Sequence, residues 1–329
     1  MTDRRFFVFV SIREKGNCVI KNHTTRAAKT ALASSIAASL VLGLLAGVAQ
    51  SATAAKSVPP TIVIGTKNFP EEFILGELYK QALQAKGFTV SYKENIGSTE
   101  IIQTALTSNK INFYPEYTGV IVQDVFHHAL SATTSQGTYQ LAKQLEGAEG
   151  FTLFNATPFY DTDAIAVTNA TAKKYGLTTI TDLKKIPTVT LGALPEFQTR
   201  NTGLVGLENI YGVKNISFVP LAGVSSYAAL DSGKVLAADV FSTDPVLGPG
   251  SKYTILTDPK NLFGFQNVAP IVSTSLATAA GPTFATVVNA VSSKLTQSAI
   301  VALNKAVEVD KESPAAVAKT FLQANGLLT

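Results

Sequence analysis

The feature that most constrains this chain is an alternation of short β-rich runs with helical segments, run through twice. "TIVIG" (61–65) is a continuous apolar strand, as expected of a strand covered on both faces. "PEEFILGELYKQALQAKG" then reads as a helix. Pro70 fits its first helical position, Glu71 and Glu72 suit the positive end of its dipole, and Gly87 ends it. "FTVSYKE" alternates like a strand, "STEIIQTALTSNK" starts a helix with Ser98 as its cap, and "INFYPEY" is a strand running into a loop. The pattern restarts after residue 160. "AIAVT" (164–168), "TVTLGAL" (188–194), "ISFVPL" (216–221), "AADVFST" (237–243) and "YTILTD" (253–258) are strands with helices between, and "VAPIVST" (268–274) is the last. Three helical segments close the chain, the final one capped by Ser313 with Pro314 in its first turn. Strands alternating with helices imply an α/β fold with parallel-rich sheets.

The spacing predicts two α/β lobes. Residues 58–162 form the first and 163–266 the second, and 267–329 return to pack on the first. Crossovers near 160–164 and 266–270 then make a hinge beneath a central cleft. Ligands of open α/β sheets bind beyond the carboxyl ends of strands, so those ends are where chemistry is expected.

Charge narrows the function. Residues 1–55 carry seven Lys/Arg against two Asp/Glu, while residues 56–329 carry 20 against 21. The basic character belongs to the leader, and the body offers no basic patch for nucleic acid. Residues 1–55 read as an N-terminal extension and a secretory signal peptide: basic "KNHTTRAAKT", apolar "ALASSIAASLVLGLLAGVA", and a small-residue cleavage pattern at Ala52 and Ala54. A membrane anchor is the alternative for that apolar run. The stretch before it is a poor signal start, which suggests translation beginning near Val19. The lone cysteine, Cys18, precedes the apolar run, so neither a lipid anchor nor a disulfide is expected. The expected product is an exported, soluble, extracytoplasmic or periplasmic protein, monomeric, with no cofactor and no metal.

Enzyme readings find little support. No nucleophile elbow, P-loop or dinucleotide fingerprint occurs. His127 and His128 are adjacent in what reads as a helical segment, so they point apart and make no joint metal site.

Four motifs sit at strand ends: "GTKNFPEE", "YPEYTGV", "LPEFQTR" and "FSTD". With "ILGELY", "DAIAV" and "VAPIV" they follow an order that resembles the osmoprotectant-binding proteins of ABC importers, the receptors for glycine betaine, choline and carnitine. The likeness spans nearly all of the chain beyond the leader. It implies an α/β, two-lobed type II periplasmic-binding-protein fold with a hinge and central cleft. It also implies a quaternary ammonium ligand held in an aromatic box, a membrane permease as partner, and no catalysis. Such a cation has no N–H to donate, so ring faces hold it, at about 0.5–2 kcal/mol per ring.

Carried over by position, Lys67 matches a residue that contacts the ligand carboxylate, Tyr117 and Phe241 match box aromatics, and Arg200 matches the carboxylate clamp. Phe265 matches a further ring, and Asn68 and Thr162 stand beside these positions. Two departures follow. Asp163 stands where the family commonly has tyrosine, and Val120 where it commonly has a polar residue. Asp163 is expected either to pair with a cationic ligand or to pair with Arg200. Tyr114, Glu116 and Glu196 are expected to be structural, and Asp244 to cap the following turn. The alternatives are the same fold binding another cationic amine, an amino-acid derivative or an aromatic compound, or a ligand-sensing module without transport. Beyond residue 55 the chain has 19 lysines and one arginine, Arg200. A planar, two-pronged donor suits a carboxylate partner.

Overall fold

The computed structural model describes residues 60–129 and 133–328. The expected signal peptide lies outside them. Ten strands, β1 (Ile62–Lys67), β2 (Val90–Gly97), β3 (Phe113–Tyr117), β4 (Phe151–Leu153), β5 (Asp163–Thr168), β6 (Val189–Ala193), β7 (Ile216–Pro220), β8 (Ala237–Phe241), β9 (Tyr253–Leu256) and β10 (Val268–Ser273), make two sheets among the described residues. Their orders are β2-β1-β3-β10-β4 and β7-β6-β8-β5-β9. The architecture is α/β and two-lobed, with one sheet in each lobe.

The sheets are mixed rather than parallel-rich. β1 runs parallel to β2 and β3, and β6 runs parallel to β7 and β8. β10 is antiparallel to β3 and β4, and β5 is antiparallel to β8 and β9. The reason is the crossovers. β5 and β10 each begin just after the chain leaves the other sheet, so they run against their parallel neighbours. Their first residues therefore meet the last residues of β1, β3, β6 and β8 at one edge. The two crossing segments touch in an isolated antiparallel bridge, Tyr160 to Asn267.

Each sheet is covered on both faces. Ile62, Ile64 and Phe113 pack with the helix Pro70–Ala85 and the three C-terminal helices, whereas Tyr114, Ile271 and Leu153 face Ile121, Val122 and Tyr139. Double coverage is why these strands read as unbroken apolar runs. In the other sheet Ile165, Val167 and Leu191 face one cluster, and Ala166, Ala238 and Val240 the other. The helix Pro70–Ala85 lies close on its sheet at Gly76, where a Cβ would stand 2.4 Å from the Thr66 methyl. The same helix packs against the helices Thr274–Lys294, Gln297–Glu308 and Pro314–Ala324. Ser313 caps the last of these, accepting from the Ala316 amide at 3.3 Å.

Local details differ from the sequence reading where tertiary partners compete. Ser98 holds the N-cap position of Thr99–Thr107 but makes no capping bond, and its hydroxyl instead donates to Glu100 Oε2 at 2.5 Å. β3 runs not into a loop but into helical turns over Thr118–Val125, and His127 and His128 follow those turns rather than lying within them. Among the described residues no helix is long and apolar enough to cross a membrane.

One buried acid sets a pH dependence. Glu146, on the helix Ser135–Ala148, is fully buried, and neither carboxyl oxygen finds a hydrogen-bond partner among the described residues. Burial, helped by the charges of Glu116 and Glu149, raises it to about 8. A carboxyl raised in the folded state lends its stability below its unfolded pKa and loses it as pH climbs through the folded one. Thermal unfolding is therefore expected at a lower temperature at pH 8.5 than at pH 5. Glu146→Gln is expected to shrink that difference and to stabilise the protein at pH 8.5 by roughly 1–3 kcal/mol. An unchanged pH profile in the variant would show that Glu146 does not titrate in this range.

Candidate functional site

The strand edge where the two sheets meet holds a cleft. Its cavity volume is about 50 Å³, well below the ~300–1,000 Å³ of small-molecule sites. Of the residues singled out from sequence, Lys67, Asn68, Tyr117, Val120, Asp163, Arg200 and Phe241 line it together. Phe265 and Thr162 do not. They line a separate depression with Tyr160 and Phe263, and Asp163 borders both. Phe265 contributes its carbonyl to the fold, accepting from the Thr118 hydroxyl at 3.0 Å.

Lys67, the last residue of β1, is nine-tenths buried. Its ammonium donates to Glu116 Oε1 at 2.5 Å and stands 4.2 Å from the centre of the Tyr117 ring and 5.4 Å from that of Phe69. Glu116 is itself held by the Tyr117 amide at 2.7 Å and the Thr99 hydroxyl at 3.0 Å. Its carboxylate is thus fully engaged within the first lobe. Tyr117 is buried, and its hydroxyl donates to Glu71 Oε1 at 2.7 Å.

Phe69 is the aromatic that the sequence reading missed. Its ring stacks on Phe241 with centroids 5.9 Å apart and planes within 7°, and lies 6.2 Å from Tyr117. A signal was present: a residue before proline is held extended, and Phe69 is extended at φ −144°, ψ 159°. The ring therefore projects from the strand end rather than folding into the helix. Phe241 is anchored from below. Asp244 does not cap the following turn but turns back to accept the Phe241 amide at 3.0 Å and the Tyr227 hydroxyl at 2.5 Å. Two rings, Tyr117 and Phe69, thus face one ammonium group, and Phe241 from the other sheet stacks on the second of them. Val120 makes an apolar stretch of wall, and its amide donates to Gln266 Oε1 at 3.0 Å.

Arg200 is paired with an acid other than Asp163. It does not hydrogen-bond Asp163. Its Nε donates to Glu100 Oε1 at 3.0 Å and its Nη2 to Glu100 Oε2 at 3.2 Å, a two-pronged pair between the lobes. Partial burial opposes ionisation of Glu100, but the hydrogen bond and charge of Arg200, with Ser98, win and bring it down to about 2. The loop carrying Arg200 turns tightly at Gly203, where a Cβ would stand 2.1 Å from the Phe197 carbonyl oxygen. Other hydrogen bonds also join the lobes, among them two from threonine hydroxyls. Thr202 Oγ1 donates to Asp124 at 2.5 Å, and Thr243 Oγ1 donates to Glu71 at 2.7 Å.

The acids of the cleft are unequal. Asp161 accepts the Thr243 amide at 3.0 Å and the Ser242 hydroxyl at 3.2 Å. Burial raises Asp163 to about 6, with the Arg200 charge opposing. Asp239, which the sequence reading also missed, is raised well above the carboxylate range by burial and then by the Asp163 charge.

A two-lobed α/β protein whose strand ends form a closed, aromatic, charge-lined cleft is a substrate-binding protein of the kind that serves transporters. The chain belongs to the family described as "Substrate binding domain of ABC-type glycine betaine transport system", whose model matches residues 60–324. It is 30% identical to a glycine-betaine-binding protein of Pseudomonas aeruginosa over 82% of this chain and 89% of that one. It is 27% identical to an ergothioneine transport permease/ergothioneine binding protein of Helicobacter pylori, over 81% of this chain and 48% of that protein. Among solved structures it resembles a glycine betaine/carnitine/choline ABC transporter protein at 24% identity and TM-score 0.64, covering 82% of this chain and all of that one. It also resembles apo YehZ of Escherichia coli at 26% identity and TM-score 0.57, over 81% of this chain and 99% of that one.

The Arg200–Glu100 pair is partly exposed, so a double-mutant cycle is expected to give a coupling of about 1 kcal/mol. Arg200→Ala or Glu100→Ala is expected to open the free protein, seen as a larger radius of gyration in X-ray scattering. A radius unchanged in both variants would deny the pair any part in closure.

Proposed function

We propose that this protein captures a small organic cation of the quaternary ammonium type, such as glycine betaine, choline or carnitine, in the interlobe cleft and delivers it to a membrane permease. One observation carries this reading. Tyr117 and Phe69 already face a cation, the Lys67 ammonium, at 4.2 and 5.4 Å from their ring centres, and Phe241 stacks behind Phe69. A site that stabilises an ammonium by ring faces is suited to a methylated ammonium, which offers no hydrogen to donate. The ligand-contacting set on this reading is Phe69, Tyr117, Asp163 and Phe241, with Lys67, Asn68, Val120 and Arg200 beside them.

The Tyr160–Asn267 bridge supports a hinge between lobes that divide at 162–163 and 266–267. Lys67, Phe69 and Tyr117 then stand on one lobe, and Asp163, Arg200 and Phe241 on the other. A ligand touching both favours closure, and closure is the form a permease would read. The Helicobacter relative, whose name joins a permease to a binding protein, supports that coupling. Action outside the cytoplasmic membrane, as a monomer and without catalysis, completes the reading.

Calorimetric titration of the purified exported protein with glycine betaine, choline, carnitine and proline betaine tests it. Binding of at least one, weakened about tenfold or more by Phe69→Ala, is the expected result. No heat from any of them at millimolar concentration would sink the proposal. Arg200→Ala is expected to weaken carboxylated ligands and choline equally, because its fork is engaged by Glu100. A loss confined to carboxylated ligands would show that Arg200 turns to the ligand.

A further inference from the structure

We propose that Asp163 and Asp239 form a hydrogen-bond-accepting subsite beside the three rings, and that the ligand of this chain is an organic cation bearing an N–H or O–H donor directed at them. The inference rests on the cation-binding reading above and narrows it.

Sheet geometry puts the two carboxylates together. Asp163 pairs with Phe241 across β5 and β8, and Ile165 pairs with Asp239. Residues two apart on a strand share a face, as do directly opposed residues. Asp163, Asp239 and Phe241 therefore stand on one face of the sheet, at the end that lines the cleft.

The partners of the other charges make this pair distinctive. The Lys67 ammonium is bound to Glu116, the Arg200 fork to Glu100, and Asp161 to the Thr243 amide and the Ser242 hydroxyl. Asp239 is only 4% exposed, and its Oδ1 has no hydrogen-bond partner among the described residues. A buried acceptor left without a donor is costly, and an acid kept only for packing is normally paired. Here the unsatisfied oxygen belongs to a residue of the cleft wall. Burial raises both acids, and the Asp163 charge adds to the rise at Asp239. The site is short of both positive charge and donors.

A fully methylated ammonium supplies charge alone. A hydroxyl beside it, or a protonated amine N–H, supplies the donor as well. A ligand carboxylate at this end would meet two acids, and both neighbouring cations are engaged.

Calorimetry at pH 7.5 on the exported protein separates the possibilities with three probes: choline, its isostere propyltrimethylammonium, which has a methyl in place of the hydroxyl, and protonated N,N-dimethylethanolamine. Choline and dimethylethanolamine are each expected to bind about tenfold or more tighter than propyltrimethylammonium. Asp239→Leu, or Asp239→Asn if the leucine variant misfolds, is expected to shrink that preference. Equal binding of choline and propyltrimethylammonium by the wild type would overturn the subsite and leave the cation reading standing. Binding of dimethylethanolamine alone would uphold the subsite and refute the quaternary ammonium reading. Silence toward all three overturns the subsite, and overturns the cation reading as well when glycine betaine, carnitine and proline betaine are also silent.

Discussion

The cleft depends on one buried cation. Lys67 ends β1 with its ammonium on Glu116, at the end of β3, and under the Tyr117 ring. Removing either partner of such a pair leaves an uncompensated buried charge, at a cost of roughly 3–5 kcal/mol. That cost holds the ends of two parallel strands in register at the point where ligand chemistry is needed. Tyr117 extends the network, since its hydroxyl reaches Glu71, and Glu71 accepts from Thr243 of the other lobe. The charge that organises the first lobe is thus linked through one ring and one carboxylate to the contact with the second.

Closure follows from how the crossovers run. β5 and β10 enter their sheets antiparallel, which brings Asp163 and Val268 to the edge where β1, β3 and β8 end. Residues distant in sequence then meet there: Glu100 with Arg200, Asp124 with Thr202, Glu71 with Thr243. Each contact is polar and modest in strength. Pairs of this kind can give way to solvent on opening, whereas an apolar seam of equal area would resist it.

The strands were legible because both sheets are covered on both faces, so runs such as "TIVIG" and "VAPIV" carry no polar alternation. That Lys67, Tyr117, Asp163 and Phe241 line one cleft was anticipated through the family resemblance, whose motifs sit at strand ends. Antiparallel pairing of β5 and β10 was not, since a strand's direction relative to its neighbours depends on which lobe the chain has just left. Phe69 was obscured by Pro70, which drew attention to the helix start rather than to the ring before it. Asp239 was obscured by its place within the run "AADVFST", where a strand interior suggests core. Phe265 was read as a ring position, but the fold uses its carbonyl and turns its side chain to another depression.

Arg200 shows how far residue chemistry reaches without tertiary contacts. Its singularity among lysines pointed correctly to a planar fork and a carboxylate. Whose carboxylate it was depended on lobe closure, because Glu100 lies a hundred residues earlier on a helix of the other lobe. Lysine could have supplied the charge there, but not two parallel hydrogen bonds at once. A fork fixes orientation as well as distance, so the pair resists sliding of the lobes and not only their separation. With Arg200 engaged in this way, the positive charge left to act on Asp163 and Asp239 reaches them only through space. The chain thus keeps the one guanidinium it has beyond residue 55 for the interface between lobes, and leaves the acids of the cleft to be neutralised by whatever enters it.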